Sequence, residues 1–502
     1  MNKQLILVID AGSSGIKCLI IDETGTELLT RFKVWSYLPK NDTSFSIAFD
    51  PNKVIESISE LIQESLNQPG ISSSDLIAIT VTSQRQSVVF LDSKNNPLYA
   101  GPNTDVRAVF EGGIIDEDLG DEIYSITGHL PSFLFAPAKL KWFKQNQPSL
   151  YRNIKSVITL ADWIVYKLTG ELVSEYSLAS ESGLINIKSR QWAYELFNKL
   201  DLPDNHHVPI QNAGTAIGKT NKKTEHLTGI HKGTTVVLSG ADSQCGLLGM
   251  GITKPYKTGI VSGWSIPVIT TTSFPQFDYN KNIWAGCTLS KNIWSVESTC
   301  GDAGNSYRWL INILYGHVIQ SNRFSTANLE ATKIPIGSYG VYSLLGPSHM
   351  NMNKIGIKRG GILLPVPVTH NNITRGHIVR SALESIAFAV RRNLEQSEQV
   401  IDQVPSDIAV SGGMTLTTLW PEILANVLGK SISLTNNPNA SALGAYLCSL
   451  KGLGHFESIE AASESQLTKL HTVEANPVYS SEYSDHYAKW ISITNEMEVT
   501  EA

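Results

Sequence analysis

The 502-residue sequence has few cysteines, no long apolar run and no excess of basic residues. Its five cysteines are scattered, odd in number and never spaced as C-x-x-C. We therefore predict thiols packed as small hydrophobic groups in a reducing compartment, without a disulfide framework. No stretch approaches the roughly 18 apolar residues that a membrane span needs. The first apolar run ends at Asp10, which is unlike a signal peptide, so we expect a cytoplasmic protein.

The charge balance is slightly acidic, with 40 Lys and Arg against 46 Asp and Glu. This balance argues against nucleic acid or an anionic membrane surface as the main binding partner. A chain of this length exceeds one ordinary core, so two large domains are expected. No proline-rich linker separates the halves. The glycines of "GLLGMG" place the predicted boundary between domains 1–245 and 246–502.

Strand-like and helix-like segments alternate along the chain, which predicts an α/β fold. "QLILVID" and "KCLIID" are predicted strands, and "DPNKVIESISELIQESL" is a predicted helix with Asp50 as its cap and Pro51 in its first turn. The opening pattern of an apolar strand and a small-residue turn recurs in "TTVVLSGADSQ", "TGIVSGWSIPVIT" and "DIAVSGGM". We therefore predict two related domains that face a shared cleft.

The first turn, in "DAGSSGIK", places Asp10 between two apolar runs. Asp-x-Gly-Ser is common in β-hairpins, where it serves only the turn. The same composition suits a phosphate-binding turn, because small residues let backbone N–H groups approach an anion and a carboxylate can hold a metal ion nearby. Both interpretations stay open from the turn alone.

Four stretches, in order, resemble the FGGY carbohydrate kinases, relatives of glycerol kinase and xylulokinase. They are "DAGSSGIK", "APAKLKWFKQNQP" with "ADWIVYKLTGEL", "GADSQCGLLGMG", and "SGGMTLTTLWPEILANVLGKSISLTNNPNASALGAY". The resemblance covers nearly the whole chain and implies two actin-like ATPase (ribonuclease H-like) domains with a catalytic cleft between them. It implies that domain 1–245 binds the sugar and carries the first phosphate loop, and that domain 246–502 binds the nucleotide. The implied activity is transfer of the γ-phosphoryl group of ATP, with Mg²⁺, to a hydroxyl of a small sugar, ketose or polyol.

The resemblance also implies roles for individual residues. Asp242 would be the general base for the sugar hydroxyl, and Asp10 would hold Mg²⁺ together with Asp242. "VSGWS" would form the second phosphate loop. The residues implied to contact ATP are Gly12, Ser13, Ser14, Lys17, Ser262, Gly263, Ser265, Gly412, Gly413, Met414 and Asn439. Two positions depart from the family pattern, since Trp264 stands where relatives carry Thr and Asn439 where they often carry Glu.

The implied substrate contacts are Arg85, Gln86, Asn103, Asp105, Asp242 and Ser243. Glycerol is disfavoured because Gln86 stands where glycerol kinase carries Glu, and because Asn103 and Asp105 stand where a Trp is expected. "NTDVRA", "ADWIVYKLTGEL" and "PIGSYGV" look closer to autoinducer-2 kinases, whose substrate is a small branched polyhydroxy ketone. A xylulose-like ketose is the other candidate.

Plainer alternatives remain for these residues. Asp242 could cap the turn in "SGADS", Lys17 could cap a strand edge, and Asp105 with Arg107 could form an exposed ion pair of little value. At the level of the whole chain, the alternative is a non-catalytic actin-like nucleotide sensor or scaffold. The expected partners are a small-molecule sugar or polyol and a second copy of the chain in a homodimer, with no nucleic acid and no membrane.

Overall fold

The computed structural model of the protein describes residues 4–38, 45–202, 208–354, 359–367, 372–435, 437–465 and 470–499. The strands are β1 (Leu5–Gly12), β2 (Gly15–Asp22), β3 (Glu27–Val34), β4 (Leu76–Ser83), β5 (Val88–Leu91), β6 (Pro97–Gly101), β7 (Ser156–Thr159), β8 (Ser174–Glu175), β9 (Ile185–Asn186), β10 (Gln191–Trp192), β11 (Ile210–Gln211), β12 (Ala216–Lys219), β13 (Thr235–Ala241), β14 (Lys257–Ser262), β15 (Pro267–Thr272), β16 (Trp284–Cys287), β17 (Trp294–Thr299), β18 (Tyr342–Leu344), β19 (Gly361–Leu363), β20 (Asp407–Gly412), β21 (Ile432–Thr435) and β22 (Leu470–Val473).

The helices are α1 (Pro51–Leu66), α2 (Val109–Thr127), α3 (Ala136–Asn146), α4 (Pro148–Tyr151), α5 (Leu160–Thr169), α6 (Tyr176–Ser180), α7 (Tyr194–Lys199), α8 (Lys222–Thr228), α9 (Asp242–Gly249), α10 (Gly304–Leu314), α11 (Arg323–Ala331), α12 (Arg375–Ile401), α13 (Leu419–Leu428), α14 (Ala440–Gly452), α15 (Ile459–Glu464) and α16 (Pro477–Val499). Short 3₁₀ segments lie at Ser73–Asp75, Ser132–Leu134, Gln320–Asn322, Ile336–Gly340 and Gly413–Leu416. Helix α1 begins as predicted, since Asp50 accepts hydrogen bonds from the N–H groups of Asn52 and Lys53 and Pro51 follows it.

Two mixed sheets of closely matching topology form the fold. The first has the strand order β12-β13-β4-β1-β2-β3, and the second has the order β16-β17-β15-β14-β20-β21-β22. In each sheet an antiparallel hairpin, β1–β2 or β14–β15, lies beside a parallel strand, β4 or β20. The α/β fold and the internal duplication predicted from the sequence are therefore present.

The predicted repeats are only partly right. "TGIVSGWSIPVIT" forms β14 and β15 and is the counterpart of the opening hairpin. "TTVVLSGADSQ" and "DIAVSGGM" are not counterparts, because β13 and β20 run into helical segments where β1 turns back into a paired strand. In the matched sheets β13 corresponds to β21, and β20 corresponds to β4. A small-residue turn after an apolar strand is common to both situations, so the pattern alone could not separate them.

The packing does not divide at one residue. Helix α9 spans the predicted boundary at 245. Helix α14, from the second half of the chain, packs against α9, and its Leu443 and Leu447 share a core cluster with Ile6 and Val8 of the first sheet. Two larger clusters fill the sides of the first and second sheets. The division into 1–245 and 246–502 stays a prediction. None of the described helices combines the length and apolar sequence needed to cross a bilayer.

Candidate active site

The hairpin β1–β2 brings Asp10 and Lys17 together. They are paired across the hairpin, and the Lys17 Nζ lies 4.0 Å from an Asp10 carboxylate oxygen. Burial raises the pKa of Asp10 and the charge of Lys17 opposes that rise. At the tip, Gly12 and Gly15 close the ladder around Ser13 and Ser14, and the indole of Trp35 donates to the Gly12 carbonyl over 2.7 Å. The segment is thus a β-hairpin, and phosphate binding at its tip stays a prediction.

The tip of this hairpin is connected to the segment expected to bind substrate. The side-chain amide of Asn103 donates to the Ser13 hydroxyl over 3.1 Å. The backbone N–H of Asn103 donates to the Gln84 side-chain carbonyl over 3.2 Å. One short chain of hydrogen bonds therefore joins a predicted phosphate contact to the strand end that carries Arg85 and Gln86.

Asp242 begins helix α9 directly after β13, so its backbone position is fixed by both elements. One carboxylate oxygen accepts the N–H of Ser243 over 2.8 Å. Burial raises the pKa of Asp242 to about 7; Arg85 opposes this rise, and the negative charge of Asp10 adds to it. A carboxylate with a pKa near neutrality suits a general base, because it can both accept and release a proton at working pH.

Arg85 lies between two buried carboxylates that no sequence motif indicated. Its guanidinium makes two hydrogen bonds to Glu297, over 2.5 and 2.6 Å, and lies 3.6 Å from Glu181. Glu297 belongs to β17 of the second sheet, so this ion pair connects the two halves of the chain. The guanidinium also lies 5.7 Å from the centre of the Trp284 ring, within the range of a cation–π contact.

Glu181 collects further donors around the same position. The amide groups of Gln86 and Gln244 donate to it over 2.5 and 3.2 Å, and His129 Nε2 lies 3.8 Å away. Burial alone would raise the pKa of Glu181, but Arg85 and the hydrogen bonds outweigh that effect and lower it to about 2. Glu181 is therefore an ionised anchor that fixes Gln86 beside Arg85.

Three buried amide atoms at this site have no hydrogen-bond partner among the described residues: Gln84 Nε2, Asn103 Oδ1 and Gln244 Oε1. Buried polar atoms are nearly always satisfied in folded proteins, so such atoms need an explanation. They include a donor and two acceptors, which is a set that a hydroxyl or carbonyl group of a ligand can satisfy. Gln84 and Gln244 were not among the predicted site residues, although Gln84 directly precedes Arg85 and Gln244 directly follows Ser243.

Asp105 faces away from this set. Its carboxylate accepts the Tyr99 hydroxyl, the Arg107 Nε over 2.7 Å and the Ile47 backbone N–H over 2.8 Å, and its side chain is fully buried. The ion pair with Arg107 given as the plainer alternative is present but largely buried rather than exposed, and the guanidinium also stacks over the ring of Tyr99 at 4.6 Å. A contact between Asp105 and substrate stays a prediction. These described donors lie within residues 47–107, so in this arrangement Asp105 holds the 97–107 segment in shape.

The second hairpin turn, 262–267, carries no charged side chain. The Ser262 hydroxyl points inward and donates to the Ser411 carbonyl over 2.7 Å, whereas Gly263, Trp264 and Ser265 are exposed. Gly412 has φ of +114°, and a Cβ there would lie 2.5 Å from the Ser262 carbonyl oxygen. Glycine at 412 is thus required by the neighbouring strand, in addition to any nucleotide.

The other predicted nucleotide contacts differ in their surroundings. A Cβ on Gly413 would meet nothing within 4 Å, so open space adjoins it, and Met414 packs partly against the second core. Asn439 accepts the Lys17 ammonium over 3.2 Å and donates to Glu27 over 3.0 Å. Both ends of its amide therefore bind the first sheet, and its predicted contact with adenosine stays untested.

The residues present fit a magnesium ion carried by a nucleotide. In the described part of the chain, no group of three or more His, Cys, Asp or Glu side chains could hold a metal ion by itself. Mg²⁺ bound with a nucleotide needs only one or two carboxylates, because phosphate oxygens and waters complete its shell. The negative charge of Asp10 raises the pKa of Asp242, and these two carboxylates could supply those ligands.

Models of one protein family match both parts of the chain. A model described as "FGGY family of carbohydrate kinases, N-terminal domain" matches residues 5–249, and one described as "FGGY family of carbohydrate kinases, C-terminal domain" matches residues 260–452. The autoinducer-2 kinase of Escherichia coli K12 is 25% identical over 502 residues, which cover 98% of this chain and 94% of that protein.

Solved structures share the fold over its full length. A xylulose kinase from Rhodospirillum rubrum has a TM-score of 0.83 at 21% identity, with 99% of each chain covered. A Plasmodium falciparum glycerol kinase with ADP has a TM-score of 0.80 at 17% identity, with 98% of each chain covered. At these identities the structures establish the two-domain actin-like fold.

Proposed function

The chain belongs to the FGGY family of carbohydrate kinases, and from this premise we propose that it phosphorylates a small, uncharged polyhydroxy ketone like that of the autoinducer-2 kinases it is similar to. The activity of the family is ATP-dependent phosphoryl transfer to an alcohol group of a sugar. The proposal concerns the substrate and the residues that act on it.

The unsatisfied amide atoms of Gln84 and Asn103, beside Ser13, carry this proposal. They lie between the predicted phosphate turn and the Arg85 cluster, so a ligand hydroxyl there would adjoin both. A free donor and a free acceptor recognise neutral hydroxyl and carbonyl groups well. The glycerol-type arrangement is disfavoured because Gln86 is an amide and donates to Glu181.

The charges around the site favour a neutral substrate. Glu181, Glu297 and Asp242 face a single guanidinium, that of Arg85, which already forms two hydrogen bonds with Glu297. A sugar acid would bring a further negative charge toward this set, whose one described guanidinium is already paired with Glu297, and its desolvation would be costly. A neutral ketose has no such penalty.

In the proposed mechanism, Asp242 accepts the proton of the attacking hydroxyl and so orients that oxygen toward the phosphoryl group. Ser13 and Ser14 would donate to phosphate oxygens at the first turn, and the backbone of the second turn, from Ser262 to Ser265, would lie near the same phosphates. MgATP, held through Asp10 and Asp242, would supply the phosphoryl group and neutralise its charge.

Lys17 adds a positive charge beside Asp10. Gly413 and Met414 line the expected nucleotide side, and Ser243 lies beside the hydroxyl.

An ADP-release screen tests the proposal. The purified protein is incubated with MgATP and, separately, with the autoinducer-2 precursor, xylulose, glycerol and gluconate. We expect the highest kcat/KM with the autoinducer-2 precursor, a lower value with xylulose and little release with glycerol or gluconate. Preference for gluconate would contradict the neutral-substrate proposal, and release unaffected by every compound would favour the sensor or scaffold alternative.

Two further predictions accompany this function. A homodimer is testable by light scattering of the purified protein at several concentrations. A cytoplasmic location, where ATP is available, fits an ATP-consuming kinase and is testable by fractionation of the host cells.

A further inference from the structure

Strand β13 is irregular immediately before Asp242. Its parallel pairing with β4 runs regularly to Leu238, opposite Val81, and resumes only at Ala241, opposite Ser83. Ser239 and Gly240 therefore lie opposite Thr82 alone, which is the pattern of a β-bulge. A bulge turns the following residue out of the ladder and leaves backbone groups that need other partners.

Side chains supply those partners. The Ser239 hydroxyl donates to the Val81 carbonyl over 2.6 Å, and the Thr82 hydroxyl donates to the Gly240 carbonyl over 2.7 Å. The N–H of Ala241, the residue directly before Asp242, donates to the Ser177 hydroxyl over 3.1 Å. The backbone that carries Asp242 is therefore held by side chains on both sides.

Ser177 is in turn held by Glu175. The Ser177 hydroxyl donates to Glu175 Oε2 over 2.6 Å, and the same oxygen accepts the N–H of Leu178 over 3.0 Å. Because the Ser177 proton is committed to Glu175, its oxygen lone pairs face the Ala241 N–H. Glu175, Ser177 and Ala241 form one directed series of hydrogen bonds that ends at the backbone N–H of Ala241, the residue before Asp242.

The packing around Ser177 and Glu175 leaves no room for water to replace these hydrogen bonds. Ser177 and Glu175 are 0% and 1% exposed, so bulk water does not reach them. A Cβ on Gly240 would lie 2.3 Å from a Leu289 methyl group and 2.7 Å from the Ser177 hydroxyl, which shows how closely α6 approaches the bulge. A buried N–H that lost its acceptor here would stay unsatisfied unless the bulge moved.

We propose that Glu175 and Ser177 are positioning residues that fix the backbone of the general base. This inference rests on the proposed role of Asp242 and adds to it two residues that do not touch substrate. General-base catalysis depends on hydrogen-bond reach to the hydroxyl, and a displacement of about 1 Å can cost about 10²-fold in rate. Removing this series of hydrogen bonds therefore lowers kcat, whereas binding of ATP and sugar, made by other residues, is retained.

Four variants test the proposal in the full-length protein. Ser177→Ala and Glu175→Ala break the series of hydrogen bonds, whereas Glu175→Gln keeps an acceptor oxygen for Ser177 and Leu178. Ser65→Ala is the matched control, because Ser65 is also buried and donates to a backbone carbonyl, Leu61, but lies in helix α1. We expect kcat to fall about tenfold or more in the first two, with both KM values within twofold of wild type. Glu175→Gln and Ser65→Ala keep a kcat near that of the wild type.

Each outcome has a defined meaning. If Ser177→Ala has the kcat of Ser65→Ala, or if Glu175→Gln is as slow as Glu175→Ala, the proposal is overturned. If circular dichroism shows that Ser177→Ala does not fold, the comparison of Glu175→Ala with Glu175→Gln tests the proposal instead. Parallel changes in kcat and both KM values in Glu175→Ala would indicate general damage to the protein and would also overturn the proposal. Asp242→Asn tests the proposed base separately from the positioning residues. Wild-type turnover in that variant would refute the role of Asp242 as the general base.

Discussion

The hairpin turns of the two sheets occupy corresponding places and differ in chemistry. The first hairpin carries Asp10 and Lys17 and connects through Ser13 to Asn103. The second hairpin, "KTGIVSGWSIP" at 257–267, contains no acidic residue, and the hydroxyl of Ser262 points into the sheet. Duplication of a backbone unit has therefore not duplicated its side chains.

The second turn is instead surrounded by close backbone contacts. Gly412 approaches Ser262, and Gly304 approaches Gly263 so closely that a Cβ would lie 2.0 Å from its carbonyl oxygen. The N–H of Gly304, at the start of helix α10, donates to the Trp264 carbonyl over 2.8 Å. We therefore expect metal binding and proton transfer to depend mainly on the first half, with Glu297 of the second sheet completing the charge cluster at Arg85, and the second hairpin turn to contribute shape.

Asp242→Asn should have the largest effect, because it removes the base from the first half. The amide keeps the shape but cannot accept the proton, and loss of a general base typically costs about 10²–10⁴ in rate. We expect kcat to fall by that order, while calorimetry gives affinities for ATP and sugar within a few-fold of wild type. Asp92→Asn, in an exposed turn, is the control. Loss of both affinities would assign Asp242 a structural role.

The pH dependence of the wild type should follow the same carboxylate. Burial places the pKa of Asp242 at about 7, and only its ionised form accepts a proton. Consequently kcat/KM at limiting ATP should fall as pH drops below about 7, by up to about tenfold per pH unit. Glu181, with a pKa near 2, stays ionised over this range. An acidic limb near pH 4 would contradict the assigned effect of burial.

Asp10→Asn tests whether the charge of the first hairpin serves the metal. The change removes one negative charge and little volume. We expect turnover to fall about 10- to 100-fold at limiting Mg²⁺, with partial recovery as Mg²⁺ is raised. Titration of activity with Mg²⁺ at fixed ATP measures this. Wild-type dependence on Mg²⁺ would leave Asp10 as a turn residue and remove the main difference between the two hairpins.

Local features of the sequence predicted the fold well. The cap and first turn of α1, the strands β1 and β2, and the hairpin with Ser13 and Ser14 at its tip all depend on neighbouring residues. Such features leave a periodic or compositional pattern within about 20 residues. The second hairpin was found for the same reason, since its sequence repeats that pattern.

The site was predicted less completely because its charges meet only in three dimensions. Glu297 reaches Arg85 across 212 residues, and Glu181 reaches Gln86 across 95. Neither glutamate lies in a distinctive local motif, so nothing in the one-dimensional pattern indicated a charge cluster. The exposure of Asp105 was also not predictable from its neighbours in the sequence. Its segment is polar, which is typical of an exposed loop, but Tyr99 and Arg107 enclose the carboxylate.

Gly413→Val tests the shape that the second half is expected to provide. Open space adjoins Gly413, so a valine there would intrude where a nucleotide is expected without a clash in the free protein. We expect KM for ATP to rise about tenfold, while KM for the sugar stays near wild type. Gly412→Val is the contrasting variant: its side chain would clash with Ser262, so general loss of stability and activity is expected. Equal changes in both KM values for Gly413→Val would contradict the assignment.

The smallest expected effect concerns Asn439, which lies in the second half of the chain and binds the first hairpin. Its amide binds Lys17 of the first hairpin and Glu27 of the first sheet, and it lies at the start of helix α14. Because Lys17 is partly exposed, water can replace the amide when Asn439→Ala removes it, so the loss should be about 1 kcal/mol. We expect a slightly lower thermal midpoint and a KM for ATP within fivefold of wild type. A rise in that KM of tenfold or more at an unchanged thermal midpoint would instead show that Asn439 contacts the nucleotide, as the family resemblance implies.

Asn439→Asp separates these outcomes further, since a carboxylate can still accept from Lys17 but repels Glu27 and cannot donate. Near-wild-type kinetics with a lowered midpoint in this variant would identify Asn439 as a link between the charged hairpin and the second half.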